Sequence, residues 1–285
     1  MNKVLIWVKI TRPHTLFASI APVAIGLLAV PKSVDLNWII AIATFLGAIS
    51  IQVLSNIVND FYDYKKGLDK KGRVGFKRAL AEGEVTLSQM KMAIYINLLI
   101  SALIGLYLIY NAGIVILLIG VFSILFAWLY TATSKSLSYL GIADIFCFVF
   151  FGPVATLGTT YLQTMSFSLE SMYLGFVCGA ISTCVLTVNN IRDRESDKTK
   201  NKKSFVVRFG KRAGEMEYLF FVILTLVFTF IANGLSFSNL IFVFGLILFV
   251  QLLKAQGLVY NKMLIKTGLL NVVFVILTLI DYLIK

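Results

Sequence analysis

The chain has 285 residues, of which 59% are hydrophobic and only 14% are charged, and its mean hydropathy is +0.88. A soluble globular domain carries about 25% charged residues, so this composition excludes an ordinary soluble protein and indicates a membrane protein. Lysine and arginine exceed aspartate and glutamate by 26 to 14, which gives a net charge of +12.

Apolar runs that are long enough to cross a bilayer core of roughly 30 Å recur along the whole chain. In chain order they predict nine transmembrane helices, at about 14–31, 38–58, 92–109, 112–133, 140–162, 171–190, 218–235, 237–253 and 265–282. The predicted fold is therefore all-α, a polytopic membrane protein with about nine transmembrane helices in one bundle and with cytoplasmic cap loops. We expect a single domain, 1–285, with two halves of about 1–135 and 136–285.

The placement of the basic residues predicts the topology. When nine spans are threaded through the chain, only Lys32 and Lys285 of the 26 basic residues lie opposite the N-terminus, which leaves 24 on the N-terminal side. By the positive-inside rule, the N-terminus is cytoplasmic. The excess of positive charge thus follows from topology, and no nucleic-acid partner is expected. No signal-cleavage pattern follows the first apolar run, so it should remain as a span.

Two long loops, 59–90 and 191–216, each begin with acidic residues and then become basic. Each follows a span that runs toward the cytoplasm. Helix positions i, i+4 and i+7 or i+8 share one face, so the spacing predicts two polar stripes that can face each other across the bundle. The stripes are Asn56, Asp60 and Asp63, extended by Gln52, and Asn189, Asp193 and Asp197.

These carboxylates occupy an unfavourable place. Near a helix C-terminus they oppose the helix dipole, and clustered acids repel one another. If only one stripe were present, its acids could simply be a solvated helix end, but this explains two matching stripes poorly. A bound divalent cation would offset both the unfavourable helix dipole and the repulsion between the acids. Oxygen ligands at this density suit Mg²⁺, which often joins one or two carboxylates to phosphates. Bases that could bind the remaining phosphate charge flank the stripes: Lys65, Lys66, Arg73, Lys77, Arg78, Lys202, Lys203 and Arg208. The pattern predicts a site for a Mg²⁺-bound lipid diphosphate.

Seven stretches between about residue 10 and residue 210 resemble a known family. They are "RPHTL" (12–16), "APVAIG" (21–26), "NDFYDYKKGLD" (59–69), "RVGFKRALAEGEV" (73–85), "YT" (130–131), "YLGIADIFCFVFFGPVATLGTTY" (139–161) and "NNIRDRESDKTKNKKSFVVRFG" (189–210). On these the chain resembles the UbiA superfamily of intramembrane aromatic prenyltransferases. The first and sixth stretches are most similar to the branch that acts on 1,4-dihydroxy-2-naphthoate in menaquinone biosynthesis.

The resemblance implies a magnesium-dependent alkylation at the cytoplasmic face of the cell inner membrane. The implied ligands of Mg²⁺ are Asn56, Asp60, Asp63, Asn189, Asp193 and Asp197. The implied partners are a polyprenyl diphosphate, a small aromatic acid and the lipid bilayer. Further charge on the leaving diphosphate would be balanced by Lys77, Arg78, Lys135 and Lys203. The superfamily's first motif usually spaces its last acid four residues on, whereas Asp63 lies three residues after Asp60. The resemblance therefore leaves open whether Asp63 or Asp69 completes the first metal site.

For the reaction, the resemblance implies an allylic cation that the naphthoate ring attacks. The prenyl group then replaces the carboxylate, and demethylmenaquinone is formed. Tyr130, with Phe126 and Trp128 as aromatic neighbours, is the candidate for cation–π stabilisation. Arg12 and His14 are candidates for the acceptor end of the site, and Asp144 is a candidate because ionisable residues inside a membrane are costly unless they have a role.

Three alternatives stay open at this stage. Another acceptor, such as 4-hydroxybenzoate, homogentisate or a glycerol-phosphate lipid, would use the same diphosphate site. A transporter would also contain repeats and buried polar groups, but here the repeats run in parallel and the polar groups gather at one face. A lipid-diphosphate binder without catalytic activity is the third alternative.

Overall fold

The computed structural model describes residues 3–67, 75–132, 136–200 and 202–284. Within these ranges every regular element is a helix, which confirms the all-α prediction. In chain order the α-helices are α1 Lys3–Thr11, α2 Phe17–Leu28, α3 Trp38–Lys65, α4 Leu87–Ala112, α5 Ile114–Leu129, α6 Leu137–Leu140, α7 Ala143–Thr164, α8 Leu169–Thr199, α9 Phe205–Phe209, α10 Lys211–Asn233, α11 Leu240–Leu253 and α12 Val259–Ile284.

Six of these helices, α3, α4, α7, α8, α10 and α12, are long and apolar enough to cross a membrane, with mean hydropathies of 1.7 to 2.3 over their most apolar windows. Three shorter apolar segments, Phe17–Leu28, Ile114–Leu129 and Phe237–Leu253, lie where the other three spans were predicted. At a rise of 1.5 Å per residue, α5 is about 24 Å long, less than a hydrocarbon core of roughly 30 Å. The chain is a multi-span membrane protein, while the count of nine spans stays a prediction.

Helix α8 is the centre of the bundle. In its most apolar window 72% of the residues are buried, against 17% for α4, and it packs against α2, α7, α10 and α12. Glycines allow α7 to approach it closely, since a Cβ added at Gly179 would lie 2.1 Å from the carbonyl oxygen of Phe148. Helix α7 bends beside this contact at Gly152 and Pro153, because proline lacks the N–H that a regular helix needs.

Two helix ends position the polar stripes. Helix α3 continues to Lys65 and α8 to Thr199, beyond the predicted ends of their apolar spans, so both stripes lie on regular helix. The chain enters α2 through a turn at Arg12, whose φ of 51° is uncommon outside glycine. This turn brings the Arg12 side chain back against α3, where it bonds to Asn59 at 2.9 Å.

Candidate active site

Both polar stripes contribute to one cavity of about 680 Å³ inside the bundle, which every stripe residue except Asp60 lines. Carboxylates and amides from the C-terminal ends of α3 and α8 line its polar end, among them Asp63, Asn189 and Asp193. Apolar residues of α4, α5 and α7, such as Ile104 and Ile119, line the rest. The cavity therefore combines a charged end with an apolar interior, as a lipid diphosphate requires.

On α3, the residues that line the cavity include Gln52, Asn56, Asn59 and Asp63. At about 100° per residue, these four lie within about 60° of one another around the helix axis. Asn59 was missed in the sequence, although its position four residues before Asp63 is the signal that could have identified it. Asp60 lies about 70° from the middle of this stripe by the same helix geometry. It lines a second cavity of about 180 Å³, which Lys77 also lines.

Asp60 is bound by two arginines. Its carboxylate accepts a hydrogen bond from Arg12 and forms an ion pair with Nη1 of Arg78 at 3.2 Å, and the residue is only 3% exposed. Nη2 of Arg12 also donates to Oδ1 of Asn59 at 2.9 Å. Both arginines line both cavities. Asp60 thus lines the smaller cavity, where it binds the Arg12 and Arg78 side chains, and does not line the main one; its role as a metal ligand stays a prediction.

The second stripe centres on Arg192, which the sequence analysis did not single out. Arg192 donates from Nε and Nη2 to the two carboxylate oxygens of Asp193, at 2.8 and 2.7 Å, and from Nη2 to Oδ1 of Asn189 at 2.7 Å. Its Nη1 reaches Oδ1 of Asn261 on α12 at 2.9 Å. The sequence could have identified Arg192, because residues three apart on a helix share a face and Arg192 lies three residues after Asn189. Arg192 therefore fixes both stripe residues and ties α8 to the start of α12.

A lysine that follows α8 closes the polar end. Nζ of Lys202 lies 3.2 Å from Oδ1 of Asp197, and Lys202 lines the cavity. Burial lowers the pKa of Lys202, but the carboxylates of Asp197 and Asp63 outweigh it and raise that pKa above its usual value. Because these carboxylates come from different stripes, Lys202 electrostatically joins the two. Lys202 and Lys203 were both among the predicted flanking bases, and Lys203 was the candidate for the leaving diphosphate. Lys203 lines neither cavity, and its backbone N–H donates to the carbonyl of Tyr139 at 3.2 Å.

The predicted acceptor residues lie at the same end. The His14 ring packs on Phe76 with centroids 4.5 Å apart, and both residues line the two cavities. Burial, and then the positive charges of Arg12, Arg78 and Arg192, lowers the pKa of His14 to about 4. His14 is therefore neutral near pH 7.

Of the remaining candidates, Tyr130 and Asp144 line the cavity. Asp144 is 7% exposed and accepts a hydrogen bond from Nδ2 of Asn190 at 3.3 Å. Phe126 also lines the cavity, but Trp128 packs on Tyr62 outside it, with ring centroids 5.8 Å apart. The predicted pairing of Trp128 with the cation site is thus not supported. Lys135 lies outside the described residues.

The oxygen donors at the polar end suit the way in which proteins bind Mg²⁺. In the described part of the chain, no three Asp, Glu, His or Cys side chains converge tightly enough to enclose a metal. Mg²⁺ usually keeps several waters and binds through one or two carboxylates plus substrate phosphates. The oxygens of Asp63, Asp193 and Asp197 around one cavity fit this mode of binding.

Related proteins have similar sequences over most of the chain. The 1,4-dihydroxy-2-naphthoate octaprenyltransferase of Escherichia coli K12 is 33% identical over 211 residues, which cover 72% of this chain and 68% of the relative. The protein of the same name from Mycobacterium tuberculosis is 34% identical, with 79% and 77% covered. The corresponding protein of Haemophilus influenzae is 30% identical, with 86% and 83% covered.

Solved structures share the fold. A UbiA homologue from Archaeoglobus fulgidus, bound to GPP and Mg²⁺, superposes with a TM-score of 0.70 over 97% of this chain and 99% of that chain, at 15% identity. A structure of a digeranylgeranylglyceryl phosphate synthase covers both chains completely, with a TM-score of 0.66 and 17% identity. The family model described as "UbiA prenyltransferase family" matches residues 19–274, and with these relatives it establishes that the chain belongs to the UbiA prenyltransferase family.

Proposed function

We propose that this protein transfers a polyprenyl group from an allylic prenyl diphosphate to 1,4-dihydroxy-2-naphthoate, with Mg²⁺ as the cofactor. The carboxylate leaves as carbon dioxide, and the direct product is the hydroquinone form of demethylmenaquinone, demethylmenaquinol. The relatives that carry this activity in their names support the choice of acceptor. The observation that carries the proposal is the single cavity of about 680 Å³ that joins two acidic stripes to an apolar interior.

The polar end is the proposed site of the diphosphate. Among the described residues, each cation that lines this end is already paired: Arg12 and Arg78 with Asp60, Arg192 with Asp193, and Lys202 with Asp197. A metal and a diphosphate bring opposite charges that largely cancel, so they can enter without leaving a buried charge uncompensated. The proposed ligands of the metal are the carboxylates of Asp63, Asp193 and Asp197 and the amides of Asn56, Asn59 and Asn189. When bound, Mg²⁺ neutralises charge on the diphosphate and stabilises it as a leaving group.

The cations then act on the diphosphate directly. Arg192 and Lys202 line the cavity beside the carboxylates that they bind, so each can donate a further hydrogen bond to a phosphate oxygen. We propose that Asp60 serves indirectly, because it holds Arg12 and Arg78 in place from behind the cavity wall.

Breaking the carbon–oxygen bond of the prenyl diphosphate leaves an allylic cation that water would destroy. The apolar walls of α4, α5 and α7 exclude water from this part of the cavity. Tyr130 lies at the end of α5, one turn after Phe126, whose ring contacts those of Phe146 and Phe150 at centroid distances of 4.4 and 4.2 Å. We propose that Tyr130 and this aromatic group stabilise the cation through their ring faces.

The aromatic acid is proposed to bind with its carboxylate toward Arg12 and Arg78. The His14 and Phe76 rings beside these arginines offer a surface on which a planar acid can stack. Neutral His14 can exchange a hydrogen bond with the acceptor without adding charge. The ring carbon that bears the carboxylate attacks the allylic cation. The electron pair of the ring–carboxylate bond then returns to the ring as carbon dioxide leaves.

For the location, we propose the cell inner membrane with the polar end of the cavity facing the cytoplasm. The support is the bias of 24 basic residues to 2. In that orientation the water-soluble acid enters from the cytoplasm, while the prenyl chain occupies the bundle interior. We also propose that the whole chain acts as one domain, because residues of both halves line the cavity.

Turnover with a panel of acceptors tests the proposal. Purified protein with Mg²⁺ and labelled prenyl diphosphate should prenylate 1,4-dihydroxy-2-naphthoate and release carbon dioxide. Preference for 4-hydroxybenzoate, homogentisate or a glycerol-phosphate lipid would refute the proposed acceptor but would not contradict the proposed diphosphate site. Absence of turnover with every acceptor, in protein that binds prenyl diphosphate, would instead identify a binding protein without catalytic activity.

A further inference from the structure

Asn271 is a buried amide in the cavity wall. It lies within α12, has 0% of its surface exposed and lines the main cavity. Neither Nδ2 nor Oδ1 of Asn271 has a hydrogen-bond partner among the described residues. The same holds for the hydroxyl of Ser182 on α8, which is 3% exposed and lines the same cavity. Buried polar groups are nearly always paired, so two such groups in one cavity indicate a ligand with polar atoms.

The two residues lie at the same depth. Arg192 of α8 touches Asn261 of α12 at the polar end, with 2.9 Å between the bonded atoms. Ser182 lies ten residues before Arg192, and Asn271 lies ten residues after Asn261. Since α8 runs toward the polar end and α12 runs away from it, both residues are about 15 Å from that contact along their helices. Helices α8 and α12 also pack against each other.

A diphosphate bound at the polar end would not extend to this depth. The aromatic acceptor is therefore the favoured ligand for Asn271 and Ser182. Gly268, one turn before Asn271, lies beside His14, since a Cβ added there would be 3.5 Å from the carbonyl oxygen of His14. Asn271 is three residues further, or about 4.5 Å deeper. A ring whose carboxylate lies near His14 therefore extends toward Asn271. The residues of α12 that line the cavity, Leu264, Gly268 and Asn271, are all uncharged, so an uncharged polar group of the ligand suits this place.

We propose that Asn271, assisted by Ser182, binds the hydroxyl of the acceptor ring that is farther from the carboxylate, at position 4 of 1,4-dihydroxy-2-naphthoate. An amide offers both a donor and an acceptor, so it matches a hydroxyl, which needs one of each. Sites that hydrogen-bond a substrate hydroxyl discriminate strongly against analogues that lack it, because the polar groups of the site are then left unpaired. The proposal rests on the function proposed above and adds a residue that sets acceptor specificity.

The test compares two ligands and two variants of α12. In the wild-type protein, 1-hydroxy-2-naphthoate, which lacks the 4-hydroxyl, should bind about 10- to 100-fold more weakly than 1,4-dihydroxy-2-naphthoate. Asn271→Leu, of similar size but apolar, should bring the ratio of the two equilibrium dissociation constants close to one. The matched control is Thr278→Val, since Thr278 is also a buried unpaired group on α12 but lines neither cavity. Its ratio should equal that of the wild type.

The unfolding temperature of the Asn271→Leu variant tests whether Asn271 has only a structural role, since loss of a structural hydrogen bond would lower it. Replacing an unpaired buried amide by an apolar side chain should leave the unfolding temperature unchanged or raise it. An Asn271→Leu protein with the wild-type ratio, or one whose main change is tighter binding of prenyl diphosphate, would overturn the proposal. If Asn271→Leu does not fold, Ser182→Ala provides the same comparison and should lower the ratio. Wild-type protein that does not turn over 1,4-dihydroxy-2-naphthoate would refute the proposed function; normal turnover with an unchanged ratio would refute only this inference.

Discussion

Arg192 binds both carboxylate oxygens of Asp193, with N–O distances of 2.8 and 2.7 Å, and the Arg192 side chain is only 2% exposed. Two parallel bonds from a planar guanidinium fix the carboxylate in direction as well as in position. The same guanidinium binds Asn189 and Asn261, so one side chain orients the second stripe and anchors α12 beside it.

Arg192→Lys should therefore lower kcat/KM for prenyl transfer by about 10- to 100-fold. Lysine keeps the charge but cannot form the bidentate pair or reach the two asparagines at once. The control is Arg194→Lys, because Arg194 pairs with the exposed Glu195 and should tolerate the exchange within about twofold, as surface pairs contribute little. Steady-state kinetics at saturating Mg²⁺ measure both, and full activity of Arg192→Lys would contradict the role given to this pair.

Asp63 and Asp60 should respond differently to the same substitution. Asp63→Asn should raise the Mg²⁺ concentration needed for half-maximal activity and lower kcat by about 100-fold or more, since it removes a proposed ligand. Asp60→Asn should leave the metal requirement near that of the wild type and weaken acceptor binding, because it releases Arg12 and Arg78. Mg²⁺ titrations of both variants, with the exposed Glu195→Gln as control, make the comparison. Equal shifts in the metal requirement would place Asp60 among the ligands, and full activity in excess chelator would refute the metal site altogether.

Much of the fold could be predicted because its signals are local. Apolar runs mark the helices, and the spacing of four residues places Asn189 and Asp193 on one face of α8. The rotation of α3 about its axis is not a local property. It depends on how α1 and the segment after residue 75 pack against α3, and this packing turns Asn59 to the cavity and Asp60 to the two arginines.

Contacts between residues that are distant in the sequence could not be predicted either. Nothing in the residues near Trp128 indicates that it packs on Tyr62 of α3, whereas Phe126, two residues earlier, faces the cavity. Likewise, the sequence placed both Lys202 and Lys203 beside the site but assigned the leaving diphosphate to Lys203. The turn that ends α8 instead directs Lys202 toward Asp197.

The topology can be tested by labelling single cysteines. Leu235, after α10, is 92% exposed, and Lys65, at the end of α3, is exposed on the other side of the predicted membrane. An impermeant thiol reagent added to intact cells should label Leu235→Cys and leave Lys65→Cys unlabelled until the cells are opened. The wild-type protein is the blank, because Cys178 and Cys184 are buried and Cys147 is partly so. The reverse pattern would refute a cytoplasmic polar end.

His14 should make the protein less stable in acid. Its pKa is lowered from 6.5 to about 4 in the folded protein, so between these values the unfolded chain binds a proton that the folded chain does not. Stability associated with His14 is thus complete above pH 6.5 and is lost as the pH falls toward 4. Thermal unfolding in detergent should show a larger drop over this range for the wild type than for His14→Gln. Equal drops in the two proteins would contradict a buried, neutral His14.

Asp281, near the end of α12, should matter for stability and not for catalysis. Its two carboxylate oxygens accept hydrogen bonds from the backbone N–H groups of Phe237, at 2.8 Å, and Ser238, at 2.9 Å, and it is 6% exposed. It therefore caps the turn that begins the Phe237–Leu253 segment, and it lines neither cavity. Asp281→Ala leaves two N–H groups without their acceptor, which should cost about 1–3 kcal/mol and lower the unfolding temperature in detergent. At temperatures where the variant is folded, kcat/KM should equal that of the wild type.

Asp35→Ala, at an exposed aspartate between α2 and α3, is the control and should change neither the unfolding temperature nor kcat/KM. A loss of activity in Asp281→Ala at an unchanged unfolding temperature would show that this carboxylate serves the reaction after all.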